Sequence, residues 1–402
     1  MTIKKRLMYL TLSTLDSVPY DELFLTPLAN QGWEITLAAL RVQHSLVQRA
    51  CPYPCRRMDL GTGTSTSVIS RCLNELSVAL AFMKAFLGPY DVICVGTSGT
   101  AVRAGLFALM PRLGKKLVYR ALEWYDPRRY PWRVRLERAF ARKVDLHINT
   151  EYHRAYVYWT YYHMRCPLVI LPSRLPTWWP IPAGSSEERL RLCGGDPNAF
   201  LLVHHGGFSF KRCTQELVEA LAMLPSRFRL VIVGGRDGAR HKPEMDQMTA
   251  RLRVSDRVIV LPRMDFQKML EVTVNCDAGV LLYRNTDLGN FFMSPGRLTE
   301  YTACGLPVLA SDFTGLESLV RRFDIGLTTD GEDPEAIAQA LLQMERERKA
   351  GRWKSDAVRE CFRLHLAFDN FEANLCRAFS DLIQGSPEHR KSVPPACPWS
   401  GR

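Results

Sequence analysis

The sequence predicts an α/β protein with two doubly wound, Rossmann-like domains, each built on a parallel sheet. Short apolar runs alternate with segments of helical period through both halves of the 402 residues. Tandem domains of this kind are expected to face each other across a ligand-binding cleft. The predicted divisions are a first domain at 1–175, a proline-rich linker at 176–190, a second domain at 191–357, a C-terminal helix at 358–384 that packs back on the first domain, and a disordered tail at 385–402.

The first half alternates between strands and helices. Segment 41–66, rich in Pro, Gly, Ser and Thr, is expected to be irregular. Pro27 lies inside a predicted helix and should kink it or lower its stability. The predicted strands are 6–12, 34–40, 91–95, 116–122, 146–149 and 168–171, and the predicted helices are 21–30, 68–87, 101–110, 132–142 and a Tyr-rich segment between the last two strands.

The second half repeats this alternation. Its last predicted helix, 358–383, is a single amphipathic segment. The other predicted elements are strands at 199–205, 229–233, 257–261, 277–283 and 306–310, and helices at 213–224, within 264–275, from 316, and at 334–348.

Segment 294–312 (SPGRLTEYTACGLPVLASD) predicts a short helix, a stop and a buried strand. Ser294 is a suitable N-cap and Pro295 suits the first helical position. The free N–H groups of such a helix favour a phosphate. Arg297 is a cation at the end that the helix dipole disfavours, which makes sense if an anion binds there. Glu300 on the same helix can accept hydrogen bonds from a ribose diol.

All the excess positive charge lies in the first half. Residues 1–180 contain 24 Lys and Arg against 12 Asp and Glu, whereas residues 181–402 contain 29 of each class, so the net charge of +12 comes from the first part. This asymmetry, with Trp178 and Trp179 in the linker, suggests that the first half contacts an anionic partner such as a membrane surface. A solvated basic surface with ordinary aromatic packing is the alternative. Nucleic-acid binding is not expected, because no recognisable module is present.

The location of the protein is predicted from what the sequence lacks. No apolar run is long enough to span a bilayer, and 7–12 is too short for a signal-peptide core. The 12 cysteines show no secreted-domain or zinc-site spacing and are expected to be free thiols. These features predict a cytoplasmic protein, peripheral to the membrane if the basic half binds lipid.

Two strand ends carry further candidate residues. Gly206 and Gly207 follow a strand and precede Lys211 and Arg212, which can neutralise a diphosphate. The glycines form neither a Walker loop nor a GxGxxG motif, so this signal is weak alone. Glu123 follows another strand, where doubly wound folds place functional groups. It is the candidate general base, although an acceptor-binding role or a structural pair with Arg120 remains open.

The stretch 294–312 resembles the donor-site segment of GT-B glycosyltransferases, whose retaining members often carry Glu-x7-Glu before a Gly-x-Pro-Val strand. Glu300 matches the second Glu, which by this resemblance binds the ribose of a nucleotide sugar. The resemblance also implies that the loop with Arg263 and Met264 holds the nucleobase. If the protein transfers a sugar, as this resemblance implies, the acceptor could be lipid-linked. The other similar segments are HHGGFSFKR at 204–212, LVIVGG at 230–235, LVYRALEWYDP at 117–127 and RLERAFARKVDLHINT at 135–150.

This sequence departs from the family pattern at two positions. Phe292 occupies the place of the first Glu, and Gly207 replaces the Arg that contacts the donor phosphate in the family. Lys211 or Arg212 is the expected substitute. Retention of the sugar's configuration is favoured over inversion, but these departures leave both open. No Asp-x-Asp occurs, so we expect no metal and no cofactor beyond the nucleotide-sugar co-substrate.

Several alternatives remain at this stage. A sugar-nucleotide epimerase or hydrolase on the same fold would need no acceptor. A non-catalytic sugar-nucleotide-binding protein would fit the changes at Phe292 and Gly207. Glu317 is either a donor ligand or an acidic first-turn residue that stabilises its helix. Strand alternation is expected to point only one of His204 and His205 toward the core.

Overall fold

The computed structural model describes residues 5–14, 20–41, 53–62, 68–107, 111–234 and 241–385. The chain divides into two compact units, residues 1–173 with 371–402, and residues 174–370. Each unit contains one parallel sheet. The predicted tail after Gly385 and the second glycine of the predicted pair 234–235 lie outside the described residues.

The first unit has a seven-stranded sheet in the order β3-β2-β1-β4-β5-β6-β7. Its strands pair in parallel, as where Leu7 lies opposite Ile35 on one side and Val92 on the other. The strands are β1 (Arg6–Thr14), β2 (Glu34–Arg41), β3 (Cys55–Thr62), β4 (Val92–Gly96), β5 (Lys116–Ala121), β6 (Leu146–Asn149) and β7 (Leu168–Ile170).

Helices of the first unit cover this sheet. Their apolar faces bury a core that includes Phe82, Tyr119 and Phe140. The helices are α1 (Tyr20–Asn30), α2 (Val68–Leu87), α3 (Ser98–Leu106), α4 (Pro131–Ala141) and α5 (Tyr152–Tyr162).

The second unit has a six-stranded sheet in the order β10-β9-β8-β11-β12-β13. Its strands are β8 (Phe200–His205), β9 (Phe228–Val233), β10 (Val258–Leu261), β11 (Ala278–Leu281), β12 (Val308–Ser311) and β13 (Gly326–Thr329). Its helices are α6 (Ser186–Leu192), α7 (Thr214–Met223), α8 (Lys242–Arg251), α9 (Phe266–Thr273), α10 (Leu288–Phe291), α11 (Arg297–Ala303), α12 (Thr314–Arg322), α13 (Pro334–Lys349) and α14 (Ser355–Cys361). The last helix of the chain is α15 (Asp369–Gln384), most of which belongs to the first unit.

Three local predictions were wrong, and some elements were not predicted. Strand β3 lies within 41–66, which was expected to be irregular. Helix α3 begins at Ser98 because Thr97 provides the N-cap and its side chain accepts a hydrogen bond from the N–H of Thr100. Helices α6 and α8 and strand β13 were not predicted. The expected single helix 358–383 is broken, because α14 passes into a π-helical segment (Phe362–Leu366) and the chain turns extended before α15.

Buried charge ties β5 to α1. The guanidinium of Arg120 is 1% exposed; it forms an ion pair with Asp21, donates to the hydroxyl of Tyr9 at 2.9 Å, and lies 4.5 Å from the ring of Phe24. Because a buried cation without its partner is strongly disfavoured, breaking this pair should lower the free energy of unfolding far more than breaking an exposed pair.

We expect Asp21→Ala to destabilise the first unit by about 3–5 kcal/mol, because it leaves the Arg120 charge buried and uncompensated. Glu34→Ala is the control, since it breaks the exposed Arg6–Glu34 pair (3.3 Å) and should cost less than about 1 kcal/mol. Urea unfolding of the two variants measures both effects. Equal, small losses in the free energy of unfolding would show that the buried ion pair stabilises the protein no more than the exposed one.

Candidate active site

The candidate site lies where the strand order of the second sheet reverses. Strands β8 and β11 are neighbours, and the chain continues outward from them in opposite directions. Ligands of open parallel sheets bind outside the carboxyl ends of the strands at this kind of switch point. Gly206 and Gly207 follow β8 at this edge, and Tyr283 lies two residues beyond the end of β11.

His205, the last residue of β8, is held by three residues of α11. Its carbonyl oxygen accepts a 2.6 Å hydrogen bond from Nη1 of Arg297, and its Nδ1 lies 2.9 Å from Oε2 of Glu300. Its N–H donates to the hydroxyl of Tyr301 at 3.0 Å. Positions i, i+3 and i+4 share one face of a helix, so α11 presents all three side chains to the strand end.

The second ring nitrogen of His205 shows how its protons are arranged. The hydroxyl of Thr273 donates to the carbonyl of Met269 at 2.7 Å, so Nε2 of His205 donates to that hydroxyl oxygen at 2.8 Å. Burial lowers the pKa of His205, an effect that Glu300 opposes.

Two guanidinium groups converge on the same strand end. Nη1 of Arg212 lies 3.4 Å from the carbonyl oxygen of His205, which also accepts from Arg297. A Cβ at Gly206, where φ is +112°, would overlap the guanidinium of Arg212. The pKa of His204 is lowered first by burial and then by the charges of Arg297 and Arg212. The edge of the sheet is therefore positively charged, as an anion site requires.

The glycine loop leaves space at the strand end but offers no free backbone N–H groups from Gly206 and Gly207. The N–H groups of Gly206 and Gly207 both donate to the carbonyl of Val233 at 2.9 Å. Lys211 is exposed in the short 3₁₀ turn that follows. The two glycines thus open the strand end to Arg212, whereas Lys211 reaches solvent.

Helix α11 begins later than predicted. Gly296 is the N-cap, so the prediction that Ser294 caps the helix and Pro295 opens it was wrong. The first turn instead starts with the N–H of Leu298 bonded to the carbonyl of Pro295. Ser294 is buried just before this turn. The side chain of Arg297 does not point to open solvent but contacts His205 and the hydroxyl of Tyr283.

The remaining predicted donor residues lie at neighbouring strand ends. Arg263 and Met264 follow β10, whose end is joined to β9 by the bond from the N–H of Gly234 to the carbonyl of Leu261, 2.8 Å. Glu317, in the first turn of α12, forms an ion pair with Arg321 at 2.7 Å.

Glu123 follows β5 in the first unit. Its carbonyl accepts hydrogen bonds from the hydroxyls of Ser98 (2.8 Å) and Tyr158. The residue is exposed, yet surrounding protein atoms raise the pKa of its carboxyl by desolvation, against the opposing charge of Arg154. Arg120 instead pairs with Asp21, so Arg120 is not the basic neighbour of Glu123; the charge of Arg154 acts on its carboxyl.

A buried carboxyl beneath Glu123 was missed in the sequence. Glu137 of α4 is 0% exposed and accepts hydrogen bonds from Tyr119, Tyr158 (3.1 Å) and Tyr162 (2.8 Å). Burial raises its pKa to about 7, although these hydroxyls favour the charged form. The residues of this cluster come from three separate elements, so the sequence does not show that they meet. The Tyr-rich composition of α5 is the one sequence feature that points to the cluster.

Two further sequence expectations can be compared with the structure. His204 and His205 are both buried, so the expectation that only one points inward was wrong, because a parallel sheet is covered on both faces. Trp179 packs on Phe266, with ring centroids 5.5 Å apart, whereas Trp178 is exposed.

The described ranges also contain a cavity away from this strand end, but no metal cluster. Within those ranges, no three His, Cys, Asp or Glu side chains group as metal ligands do. A cavity of about 270 Å³ lies beyond the glycine loop and does not include the basic strand end; it is lined by Phe208, Phe210, Gln215, Glu244, Gln247, Met248 and Arg251. None of the helices in these ranges is long and apolar enough to cross a membrane.

Comparison with solved structures shows the fold. Sucrose-phosphate synthase from Thermosynechococcus elongatus superposes with a TM-score of 0.76 at 15% identity, covering 95% of this chain and 100% of that one. The Anabaena protein HepE in complex with UDP-glucose gives 0.72 at 16% identity, covering 94% and 99%. WaaG, a glycosyltransferase involved in lipopolysaccharide biosynthesis, gives 0.68 at 16% identity, covering 94% and 100%. The chain therefore has the predicted GT-B fold.

Sequence comparison confirms the predicted relationship to glycosyltransferases. Residues 199–347 match the model of the family Glycosyl transferases group 1. D-inositol 3-phosphate glycosyltransferase of Acidothermus cellulolyticus is 29% identical over 174 residues, and that of Xylanimonas cellulosilytica is 29% identical over 185. These matches cover 43% and 44% of this chain but only 37% and 42% of the relatives. The similarity thus spans less than half of each protein.

The buried histidines should make the second unit sensitive to acid. His204 stays neutral when folded, but its unfolded form binds a proton below about pH 6.5, so the unfolded state gains protons first and stability falls as the pH falls. Between about pH 6.5 and about pH 5, we expect a loss of about 2 kcal/mol from this residue.

His204→Leu should remove that part of the pH dependence while leaving the slope above neutral pH unchanged. Urea unfolding across this range, followed for both proteins, measures the difference. Identical slopes below pH 6.5 would show that His204 does not remain neutral in the folded state.

Proposed function

We propose that the chain is a glycosyltransferase that moves a sugar from a nucleotide-diphosphate sugar to an acceptor hydroxyl in glycan assembly. The observation that carries this proposal is the pair of guanidiniums, Arg212 and Arg297, on one carbonyl at the switch point. This point lies in the stretch that matches the glycosyltransferase family. Two cations held side by side favour a doubly charged group such as a diphosphate.

The donor is held along the carboxyl edge of the second sheet. Arg212 and Arg297, with Lys211, stabilise the diphosphate, first as a bound group and then as the leaving group. Glu300 binds the ribose hydroxyls, the role that the family resemblance implies for it. The loop at Arg263 and Met264 contacts the nucleobase. The similarity in fold to HepE, solved with UDP-glucose, supports a nucleotide sugar as the donor.

The first unit binds the acceptor. Its surplus of basic residues suits an anionic membrane surface and a lipid-linked acceptor saccharide, with the protein in the cytoplasm. If the reaction inverts the sugar, Glu123 removes the proton of the acceptor hydroxyl, a role that its raised pKa supports. If it retains the configuration, which the family resemblance favours, Glu123 binds the acceptor.

The reaction is proposed to need no metal. The full sequence contains no Asp-x-Asp, and the basic groups at the strand end supply the positive charge that the leaving diphosphate requires.

Turnover tests the proposed activity. With UDP-, GDP- or ADP-sugars and a lipid-linked or free saccharide acceptor, we expect release of nucleoside diphosphate that depends on the acceptor. Glu123→Gln should keep donor affinity and, if Glu123 is the base, lower turnover by roughly 100-fold or more. The anomeric configuration of the product, read by NMR, decides between inversion and retention.

Each failure has a different meaning. Diphosphate release that is indifferent to acceptors would indicate an epimerase or hydrolase. Tight nucleotide binding without release under any condition would indicate a binding protein. Normal turnover of Glu123→Gln would leave Glu123 as a structural residue.

Donor binding tests the role of Glu300. Glu300→Ala should weaken nucleotide-sugar binding by roughly tenfold or more, because it removes charge-assisted hydrogen bonds to the ribose. Glu335→Ala, in the first turn of α13, is a control expected to bind normally. Isothermal titration calorimetry gives both affinities, and circular dichroism checks that each variant is folded. Unchanged affinity in Glu300→Ala would remove its proposed role.

A further inference from the structure

Helix α2 exposes a continuous apolar stripe. Six large side chains along it are 38–74% exposed: Ile69, Leu73, Leu76, Leu80, Met83 and Leu87. Their spacing alternates between four and three residues over the whole helix, which is about 30 Å long at 1.5 Å per residue. No other described helix exposes such a series.

This stripe is not the face that packs on the sheet of the first unit. Val78, Phe82 and Phe86 lie on the opposite side of α2 and are at most 4% exposed, within the core. The rings of Phe82 and Phe107 stack at 5.2 Å, which fixes this side of the helix against α3. The helix is therefore apolar on two faces, of which only one packs against other residues that the structure describes.

The spacing favours a helical partner over a lipid surface. Alternation of four and three residues is the a/d pattern of a coiled coil and gives a narrow seam rather than a broad apolar face. The positions beside the seam include Cys72, Ser77 and Ala79, which are small and uncharged, and Lys84. Interfacial membrane helices instead carry Lys and Arg along their polar face.

We propose that α2 forms the interface of a homodimer, packing antiparallel against α2 of a second copy. A two-fold axis that crosses the exposed side of α2 at the level of Val78 places Ile69 opposite Leu87, Leu73 opposite Met83, and Leu76 opposite Leu80 of the second copy. Each seam residue then meets another seam residue, as a self-complementary two-fold contact requires. Antiparallel coiled coils pair a with d positions in the same way.

The exposed area is sufficient for such a contact. At roughly 100 Å² per exposed large apolar side chain, the six residues offer about 600 Å² per copy. This is the upper limit for the largest apolar patch of a typical monomer, about 300–600 Å². With the flanking small residues it approaches the roughly 800 Å² per partner of a standard interface.

The full-length protein tests the proposal by sedimentation velocity at micromolar concentration. We expect a dimer, and we expect Leu76→Glu with Leu80→Glu to weaken self-association by at least about 100-fold, because four carboxylates then face each other in the seam. Leu190→Glu is the matched control, since Leu190 of α6 is 49% exposed and Leu80 is 51% exposed. It should leave the dimer intact.

A charge exchange tests the direction of the helices. Leu76→Glu with Leu80→Lys places opposite charges together only in the antiparallel arrangement, so this variant should dimerise far better than the double Glu variant. An equal loss of self-association in the Glu/Glu and Glu/Lys variants would overturn the antiparallel pairing. A monomeric wild-type protein would overturn the dimer itself, as would a monomer that floats with anionic phosphatidylserine vesicles through Leu76 and Leu80. Circular dichroism checks that all variants are folded.

Discussion

The geometry of the candidate site depends on the hydrogen bonds of His205. Its N–H, carbonyl and Nδ1 are each bound by a different residue of α11, namely Tyr301, Arg297 and Glu300. Nε2 extends the same contact to Thr273 of α9. A strand end held in this way cannot shift relative to α11 without breaking several buried bonds, each of which would leave an unpaired polar group. The residues proposed to hold the donor are consequently positioned by the core of the second unit.

The positive charge of the candidate site also depends on this packing. Low-dielectric surroundings strengthen the field of Arg212 and Arg297, and the lowered pKa of His204 reflects both its burial and that field. The binding of a diphosphate would in turn reduce the repulsion between the two guanidiniums. Donor binding and the stability of this sheet edge should therefore support each other.

The alternation of strands and helices predicted most of the fold because both sheets are buried and their strands are apolar. The failures occurred where the decisive contacts are distant or the segment is polar. β3 and β13 are edge strands with polar sequences, so they lack the buried pattern. The final helix breaks where the N–H of Phe368 bonds the carbonyl of Leu175, far away in sequence. At the site, sequence identified Arg297 and Glu300, but their joint contact with His205 depends on the packing of α11 against β8.

The family resemblance predicts an Arg where this chain has Gly207, and Arg212 lies close to the same strand end. Arg212 folds back from the 3₁₀ turn, and its guanidinium occupies the space that a side chain at Gly206 would fill. The glycine pair and Arg212 thus act together: because Gly206 has no Cβ, the guanidinium of Arg212, six residues further along the chain, can lie at the end of β8. Arg212 thus places a positive charge beside the end of β8, although Gly207 itself has no charged side chain.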